Sequence, residues 1–266
     1  MRKSLIFGLA ALAAVLLFLP GLLSGVAVRV LYGSVEQIVL EHGPAEPIVL
    51  EQGDYLWFGT YLGEPILWRV IAIDDGKPLL FSAYILSFKA FSTSSNDWQT
   101  STLRQWLNST EEQILWNDIP PVAAHIHGGH NAYAGELGFL HSENFSVYEH
   151  ALIYYGEDRV FLPSVAQLRQ LSQEQRRRAP TQTALLQDDS SYLFIRPFGW
   201  YWTREPFGQS TQSVRSVTAR GSFYQSLVID GMNGVVPALY LMAAAVYSTG
   251  GTGTRAVPFQ VVGGVL

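Results

Sequence analysis

Histidines cluster in one segment of the chain, where five of the six lie between residues 125 and 150. His125, His127 and His130 follow a His-x-His-x-x-His spacing around two glycines. Neutral imidazoles at this spacing can supply three nitrogen ligands to zinc or another divalent ion and leave one position for water. With Glu143 as a base toward that water, the segment predicts a metal-dependent hydrolase. The alternative, which we favour, is a polar surface loop, because the chain has no His-Glu-x-x-His helix.

A second cluster combines flat aromatic side chains with a guanidinium group, at Trp200, Trp202 and Arg204. In a strand, alternation places these three on one face and Tyr201 on the other. Such a face is a platform for a sugar ring or a peptide, through stacking and planar hydrogen bonds, which makes the three our candidate ligand-binding residues. In the alternative, which we prefer, the tryptophans fill the core and Arg204 forms a buried pair with an acid.

The remaining residue types exclude several functions. The 17 Lys and Arg against 22 Asp and Glu give a net charge of −5, without a dominant basic stretch, so the chain is not expected to bind nucleic acid. The absence of cysteine excludes disulfides, thiolate zinc sites, iron–sulfur clusters and a Cys nucleophile. No Gly-x-Ser-x-Gly elbow is present. We therefore assign no catalytic residue, and the only cofactor considered is the divalent ion of the histidine hypothesis.

The N-terminus carries an apolar segment, since residues 5–28 contain no charged side chain and follow Arg2 and Lys3. As a helix this segment is about 36 Å long, enough to cross a hydrocarbon core of about 30 Å. It is either a signal peptide cleaved after Ala27 or an uncleaved membrane anchor. Both alternatives place residues 28–266 outside the cytoplasm, secreted or tethered to the membrane through the N-terminal segment.

Local patterns predict mostly strands and turns with two or three helices. Residues 38–43 and 48–53 repeat an Ile-Val-Leu-Glu-x-Gly sequence that suits two strands, and Asp75-Gly76 suits the centre of a hairpin turn. A helix is predicted from Ser101, which caps it, to Leu107. A second is predicted from Ser164 to a solvated arginine run at 176–178.

The chain divides into four parts on these patterns. Residues 1–27 form the signal peptide or anchor, and 28–52 a strand repeat or stalk. Residues 53–247 form an α+β ectodomain, in which 119–158 reads as a long loop insertion. Residues 248–266 are rich in glycine and are predicted to be a loosely held tail.

Six segments resemble, in the same order, a bacterial and phage family known as domain of unknown function 6273. They include Pro-Ile-Leu-Trp-Arg-Val at 65–70, Ser-Thr-Leu-Arg-Gln-Trp-Leu-Asn at 101–108 and Tyr-Trp-Thr-Arg-Glu-Pro at 201–206, and the others lie at 53–61, 160–164 and 234–239. The resemblance implies a fold and no established activity. The segments at 201–206 and 234–239 are also similar to the closing segments of C-type-lectin-like and formylglycine-generating-enzyme-like folds, but a chain without cysteine lacks the copper ligands of those enzymes. We therefore expect a mostly antiparallel, C-type-lectin-like α+β fold, preceded by the hydrophobic N-terminal helix.

Three functions remain open at this point. The first is a non-catalytic surface module that binds a glycan, a peptide or a protein, and it agrees with the aromatic content of 13% and the extracytoplasmic location. The second is the metal-dependent hydrolase. The third is a structural component of the cell envelope. We expect the first, and the convergence of the three histidine side chains on one point distinguishes the second from it.

Overall fold

A computed structural model describes residues 44–109, 114–115, 124–129, 153–187, 197–208, 210–241 and 245–262. Within these residues the chain has an α+β fold, mostly of antiparallel strands, which confirms the predicted class. The described helices number four, more than the two or three predicted, and all are short. They are α1 (Thr102–Leu107), α2 (Val165–Arg169), α3 (Gln173–Arg176) and α4 (Gln182–Gln187).

Seventeen strands lie in the described part of the chain. They are β1 (Glu46–Val49), β2 (Tyr55–Tyr61), β3 (Glu64–Asp74), β4 (Lys77–Ser82), β5 (Tyr84–Ile85), β6 (Ser87–Phe88), β7 (Ile114–Leu115), β8 (Ala124–Gly129), β9 (Ile153–Asp158), β10 (Ala179–Pro180), β11 (Tyr201–Pro206), β12 (Ser213–Val217), β13 (Phe223–Leu227), β14 (Gly234–Val235), β15 (Ala238–Tyr240), β16 (Ala245–Ser248) and β17 (Phe259–Val262).

Two main sheets organise these strands. The larger sheet has the order β1-β16-β17-β2-β3-β4-β15, with β7 added beside β2. The smaller sheet has the order β13-β12-β11-β14-β6. Two further pairs, β8 with β9 and β5 with β10, stand apart from them. The pairs β2–β17, β5–β10 and β11–β14 are parallel, and the other pairs are antiparallel.

The hairpin that joins β3 to β4 is the one predicted from Asp75-Gly76. Asp74 pairs with Lys77, so the loop has two residues. Both adopt the left-handed region, with φ of 50° at Asp75 and 75° at Gly76. A type I′ turn requires this conformation at both central positions, and Asp-Gly is among the sequences that adopt it most readily. This local prediction is confirmed.

Apolar side chains pack on both faces of the larger sheet. One cluster fills the space between this sheet, the smaller sheet and the helices, and its largest members are Phe81, Phe91, Trp98, Tyr201 and Trp202. The other cluster lies on the opposite face and includes Leu56, Phe58, Trp68 and Val70. Because β3 and β4 contribute to both clusters, most of their residues are buried. Much of the aromatic content of the chain is therefore core.

The predicted second helix is two helices, α2 and α3. Each begins with its own capping box, formed by Ser164 with Gln167 and by Ser172 with Gln175. In a capping box the serine side chain accepts from the backbone N–H of the residue three positions later, and the side chain of that residue accepts from the backbone N–H of the serine. A capping box marks the start of a helix, so the second box begins a new helix rather than continuing the first. The first predicted helix is confirmed as α1, with Ser101 as its cap.

The arginine run at 176–178, where α3 ends, is not a solvated helix end, and that prediction was wrong. Arg176 and Arg178 are buried. The Nε of Arg176 donates to the Gly221 carbonyl at 2.8 Å, and the Nε of Arg178 donates to the Ser82 carbonyl at 2.8 Å. Both acceptors are distant in sequence, so the helix-dipole argument could not reveal these bonds.

Both ends of the described chain join the larger sheet. β1, from the second copy of the repeat, pairs with β16, and β17 pairs with β2 and β16. The tail predicted to be loosely held is therefore part of the sheet as far as Val262. Its glycines have a steric role, because a Cβ at Gly251 would meet the Pro258 carbonyl oxygen at 2.1 Å.

Two further predictions concern segments that the structure describes only in part. The loop insertion predicted at 119–158 contains the antiparallel pair of β8 and β9. The N-terminal hydrophobic segment and the first copy of the repeat lie outside the described residues. No helix within the described residues is long and apolar enough to cross a membrane.

Candidate functional site

The aromatic and arginine motif at 200–204 lies on the central strand of the smaller sheet. β11 is buried on both faces, so Tyr201 is as deeply buried as Trp202. The Nε1 of Trp202 donates to the Lys89 carbonyl at 2.8 Å, and its ring lies 5.7 Å from that of Phe91. Trp202 is completely inaccessible to solvent. The indole N–H is therefore hydrogen-bonded and the ring is packed inside the fold, so neither is available to a ligand at the surface.

Arg204 lies in the core between β11 and the segment that precedes α2. One of its terminal nitrogens donates to the Leu162 carbonyl at 2.6 Å and to the Gln167 Oε1 at 3.0 Å. Its guanidinium carbon lies 5.2 Å from the centre of the Phe161 ring. Burial lowers the pKa of Arg204, and the neighbouring Glu205 opposes that shift. These contacts resemble the buried alternative, in which an acid accompanies the arginine.

Trp200 has different neighbours, so the three candidate residues do not form one platform. It precedes β11 and packs edge-on against Tyr224, with ring centroids 5.4 Å apart. Of the three side chains, only that of Trp200 is partly exposed. A ligand at the surface reaches Trp200 without reaching Trp202 or Arg204.

The histidine segment is described in its backbone as far as residue 129. His125 and His127 lie in β8, where they pair with Glu157 and Tyr155 of β9. His130 and Glu143 lie outside the described residues. Within the described residues, no group of three or more metal-ligating side chains comes together. The metal site remains a prediction from the sequence.

A different group of side chains gathers on the larger sheet. We call it the arginine–tyrosine face and define it by Tyr55, Arg69, Tyr84, Arg178 and Arg255. Tyr55 in β2 pairs directly with Arg69 in β3, and the guanidinium carbon of Arg69 lies 5.8 Å from the centre of the tyrosine ring. The register places both residues in one row across the sheet.

That row continues onto β4 and brings in Arg178. Arg69 pairs with Phe81, and the guanidinium carbon of Arg178 lies 4.3 Å from the centre of the Phe81 ring. Besides the bond to Ser82, Arg178 donates to the carbonyls of Gln175 and Arg177 at 2.7 and 2.9 Å. These acceptors are all neutral, so the positive charge of Arg178 is held in place without a counter-charge.

The other edge of the face is formed by Tyr84 and Arg255. Tyr84 in β5 pairs with Ala179, the residue after Arg178. The guanidinium carbon of Arg255 lies 5.7 Å from the centre of the Tyr84 ring. Arg255 is exposed, and Tyr84 is partly exposed. The parallel pairing of β5 and β10 thus brings residues from two distant segments to the buried arginine.

The electrostatics of Arg178 show that these groups act on one another. Burial lowers the pKa of Arg178 to about 10; Tyr201 and Tyr55 oppose this shift, and the positive charges of Arg69 and Arg255 add to it. No carboxylate of the described chain is among the groups that act on it. A charged guanidinium in the interior ordinarily has an acidic partner.

Arg69 has a hydrogen-bonding deficit on the same face. Its Nε is buried and has no hydrogen-bond partner among the described residues. Nearly all buried N–H groups in folded proteins are hydrogen-bonded, so each exception needs an explanation. The Arg69 and Tyr55 side chains are nevertheless partly accessible to solvent. The face therefore presents accessible aromatic rings together with a guanidinium group that lacks an acceptor.

Sequence reasoning missed this face. Its members come from five separate segments. Only the register of β2, β3 and β4 places Tyr55 and Arg69 in one row with Phe81. One signal was available, because Arg69 is the only charged residue in the apolar run from Ile66 to Ile73. A charge inside such a run marks a position that the core does not fully cover.

Comparison with known proteins gives one assignment. The profile of a family described as domain of unknown function (DUF6273) matches residues 75–243. The chain belongs to this family. The part matched to DUF6273 runs from the β3–β4 hairpin to the end of β15 and contains Trp202, Arg204, Tyr84 and Arg178. No curated protein and no solved structure matches the chain.

The DUF6273 match also divides the arginine–tyrosine face. Tyr55, Arg69 and Arg255 lie outside the matched residues, on strands and a turn that flank them in sequence. The structure brings these flanking parts to the larger sheet beside β4. The matched DUF6273 region therefore contributes two of the five residues of the face, and its flanks contribute three.

Proposed function

We propose that the chain is an exported or membrane-tethered protein whose folded part is a non-catalytic module that binds a glycan, peptide or protein ligand. The arginine–tyrosine face is the ligand site in this proposal. The observation that carries it is the coexistence of accessible tyrosine rings and a guanidinium nitrogen without an acceptor at Arg69. Aromatic rings supply contact area and arginines supply directional hydrogen bonds, a combination common at binding surfaces.

The location and the fold type belong to the same proposal. The uncharged N-terminal segment after Arg2 and Lys3 supports export or anchoring. A C-type-lectin-like arrangement is supported by the presence of strands from both ends of the described chain, β1 and β17, in one sheet, where β16 lies between them.

Two described acids, the buried Asp158 and the partly exposed Glu205, support a binding role over a catalytic one. Asp158 is 1% exposed and accepts hydrogen bonds from Trp98 at 2.9 Å and Arg104 at 2.7 Å. Glu205 accepts from the Val165 backbone N–H at 3.1 Å. A general base must reach a proton of the substrate. These two carboxylates instead hold α1 and α2 against the strands.

The proposal is tested by the removal of the two accessible rings of the face. Full-length protein, purified in a non-ionic detergent, is applied to an array of glycans and peptides as wild type and as the double variant Tyr55→Ala/Tyr84→Ala. Tyr247→Ala is the matched control, because this tyrosine is 37% exposed on β16 and lies outside the face. Circular dichroism confirms that each variant is folded.

We expect the wild type and Tyr247→Ala to retain the same array components, and the double variant to lose them. Truncation of a central aromatic anchor typically costs a binding site about 2 kcal/mol, a factor of about thirty in affinity. Retention of the same components by the double variant would show that the ligand binds elsewhere. An array without any retained component would contradict the binding function.

A further inference from the structure

We infer that the arginine–tyrosine face binds an oxyanion of its ligand, a carboxylate or a phosphate group, with Arg69 and Arg255 in direct contact and Arg178 as a fixed positive charge beneath them. This inference rests on the proposed function and names the chemical class that the site recognises. Three steps carry it: a missing acceptor, an excess of positive charge and a pair of flanking rings.

The missing acceptor is at Arg69. Its buried Nε–H donates to no described residue. An unpaired buried donor on a charged group carries a desolvation cost. An arginine side chain presents Nε and a terminal nitrogen as parallel donors, and these match the two oxygens of a carboxylate or two oxygens of a phosphate. An oxyanion supplies the acceptor that the protein does not.

The excess of positive charge comes from three guanidinium groups. No ion pair joins Arg69, Arg178 or Arg255 to a carboxylate among the described residues. The carbonyls around Arg178 fix its position, so this charge cannot turn away into solvent. Arg69 and Arg255 both act on Arg178 as like charges.

An anion on this face has favourable interactions with all three charges. The chain as a whole has a net charge of −5, whereas the five residues that define the face include three arginines and no acid. A confined group of like charges attracts a counter-ion from solution more strongly than an isolated side chain does. The charge of the face thus favours an anionic ligand over a neutral one.

The flanking rings define the shape of the site. Tyr55 lies beside Arg69, and Tyr84 lies beside Arg255, each with its ring about 6 Å from the guanidinium carbon. A guanidinium next to an aromatic face is held in orientation, and less conformational entropy is lost when a ligand binds. The part of the ligand that carries the oxyanion then contacts the rings.

The test measures anion-dependent stabilisation of the full-length protein. The thermal midpoint is recorded at pH 7 against increasing citrate, as the carboxylate probe, and increasing inorganic phosphate, with sodium chloride holding the ionic strength constant. A ligand that binds only the folded state raises the midpoint in a saturable manner. The double variant Arg69→Gln/Arg255→Gln removes both proposed contacts.

A matched control separates binding from general salt effects. Arg159→Gln/Arg220→Gln removes the same charge from two exposed arginines outside the face. Citrate and phosphate also stabilise folded proteins by exclusion from their surface, and that effect is common to every variant. Arg255→Gln alone serves as a further variant, because this exposed side chain has little influence on folding.

We expect a saturable rise of the midpoint in the wild type and in the control, and an apparent affinity weakened by about tenfold or more in Arg69→Gln/Arg255→Gln. A response to citrate alone identifies a carboxylate, and a response to phosphate alone identifies a phosphate. An equal response in all three proteins, or a linear response without saturation, would overturn the inference.

The two proposals can fail separately. If the wild type retains neutral glycans, the Tyr55→Ala/Tyr84→Ala variant loses them and no saturable anion effect is found, the oxyanion inference is wrong and the binding function stands. If the tyrosine double variant retains every array component, the binding function at this face is itself wrong.

Discussion

The molecule contains two groups in which arginines lie beside aromatic rings, and they differ in what satisfies the guanidinium. Arg204 lies in the core beside Phe161 and donates to Leu162 and Gln167. Arg69 lies beside Tyr55 at an accessible part of the larger sheet, and its Nε has no acceptor in the described chain. The same residue types therefore stabilise the fold in one place and are available to a ligand in the other.

The comparison shows why the most conspicuous sequence motif was a weak guide to a binding site. Trp202 and Arg204 attract attention because they stand close together in the sequence. Their strand is central in its sheet, so both faces of it are covered. Arg69 also lies on an interior strand, β3, but its side chain is partly accessible to solvent, whereas that of Arg204 is buried. The accessibility of the individual side chain therefore separates the two arginines, and neither residue type nor strand position reveals it.

The largest expected effect is a loss of stability in the core group, which we define as Trp202 and Arg204 of β11 with their neighbours Phe91 and Phe161. Trp202→Ala is expected to lower the free energy of unfolding by about 3–5 kcal/mol, because it leaves a cavity and removes a bond to the Lys89 carbonyl. Urea denaturation of the full-length protein measures this. Trp200→Ala, at a partly exposed position, is expected to cost about 1 kcal/mol. Equal losses in the two variants would mean that Trp202 is not part of the core.

Replacement of the arginine should also lower the free energy of unfolding more in the core than on the arginine–tyrosine face. Arg204→Met is expected to cost about 1–3 kcal/mol, because it leaves the Leu162 carbonyl and the Gln167 Oε1 without their described donor. Arg69→Met removes no described hydrogen bond from Nε and is expected to change stability by less than about 1 kcal/mol. The same denaturation experiment compares them. A larger loss in Arg69→Met would contradict the distinction.

The acid beside Arg204 makes the core group sensitive to pH. Burial raises the pKa of Glu205 above its ordinary value, and Arg204 opposes the shift. The folded state then holds a proton that the unfolded state has released, so stability falls as the pH rises from the ordinary pKa through the raised one. Glu205→Gln removes this slope. Urea denaturation between about pH 4 and pH 8 measures the difference, and identical slopes would contradict it.

The smallest effect is expected at the histidine segment. If His125, His127 and His130 do not converge, purified full-length protein carries no stoichiometric divalent ion, and the triple alanine variant has the same metal content. Elemental mass spectrometry measures both proteins. Zinc or a similar ion near one equivalent, lost in the variant, would favour the hydrolase over the binding module.

The parts of the fold that could be predicted depend on local signals. The β3–β4 hairpin follows from the two positions with positive φ at Asp75-Gly76, and α1 follows from the Ser101 cap and the spacing of its apolar residues. Both signals act within a few residues of the structure that they specify. The α+β class was predictable for the same reason, because the strand and helix patterns that indicate it are local.

The remaining features depend on partners that are distant in sequence. Arg178 is buried because it bonds to Ser82, 96 residues away, and β17 is ordered because it pairs with β2. Residue type gives no information about such partners. The arginine–tyrosine face is the extreme case, since its members come from segments that only the sheet register and the β5–β10 pair bring together. A single sequence contains no signal for that convergence.

The most direct test of the difference between the two groups observes the arginine Nε–H signals by NMR during a titration with citrate and with phosphate. Single Arg→Lys variants assign the signals of Arg69, Arg204 and Arg255. Our account predicts that the Arg69 and Arg255 signals shift with one common midpoint, while the Arg204 signal stays unchanged. A shift at Arg204, or no saturable shift at Arg69, would contradict it.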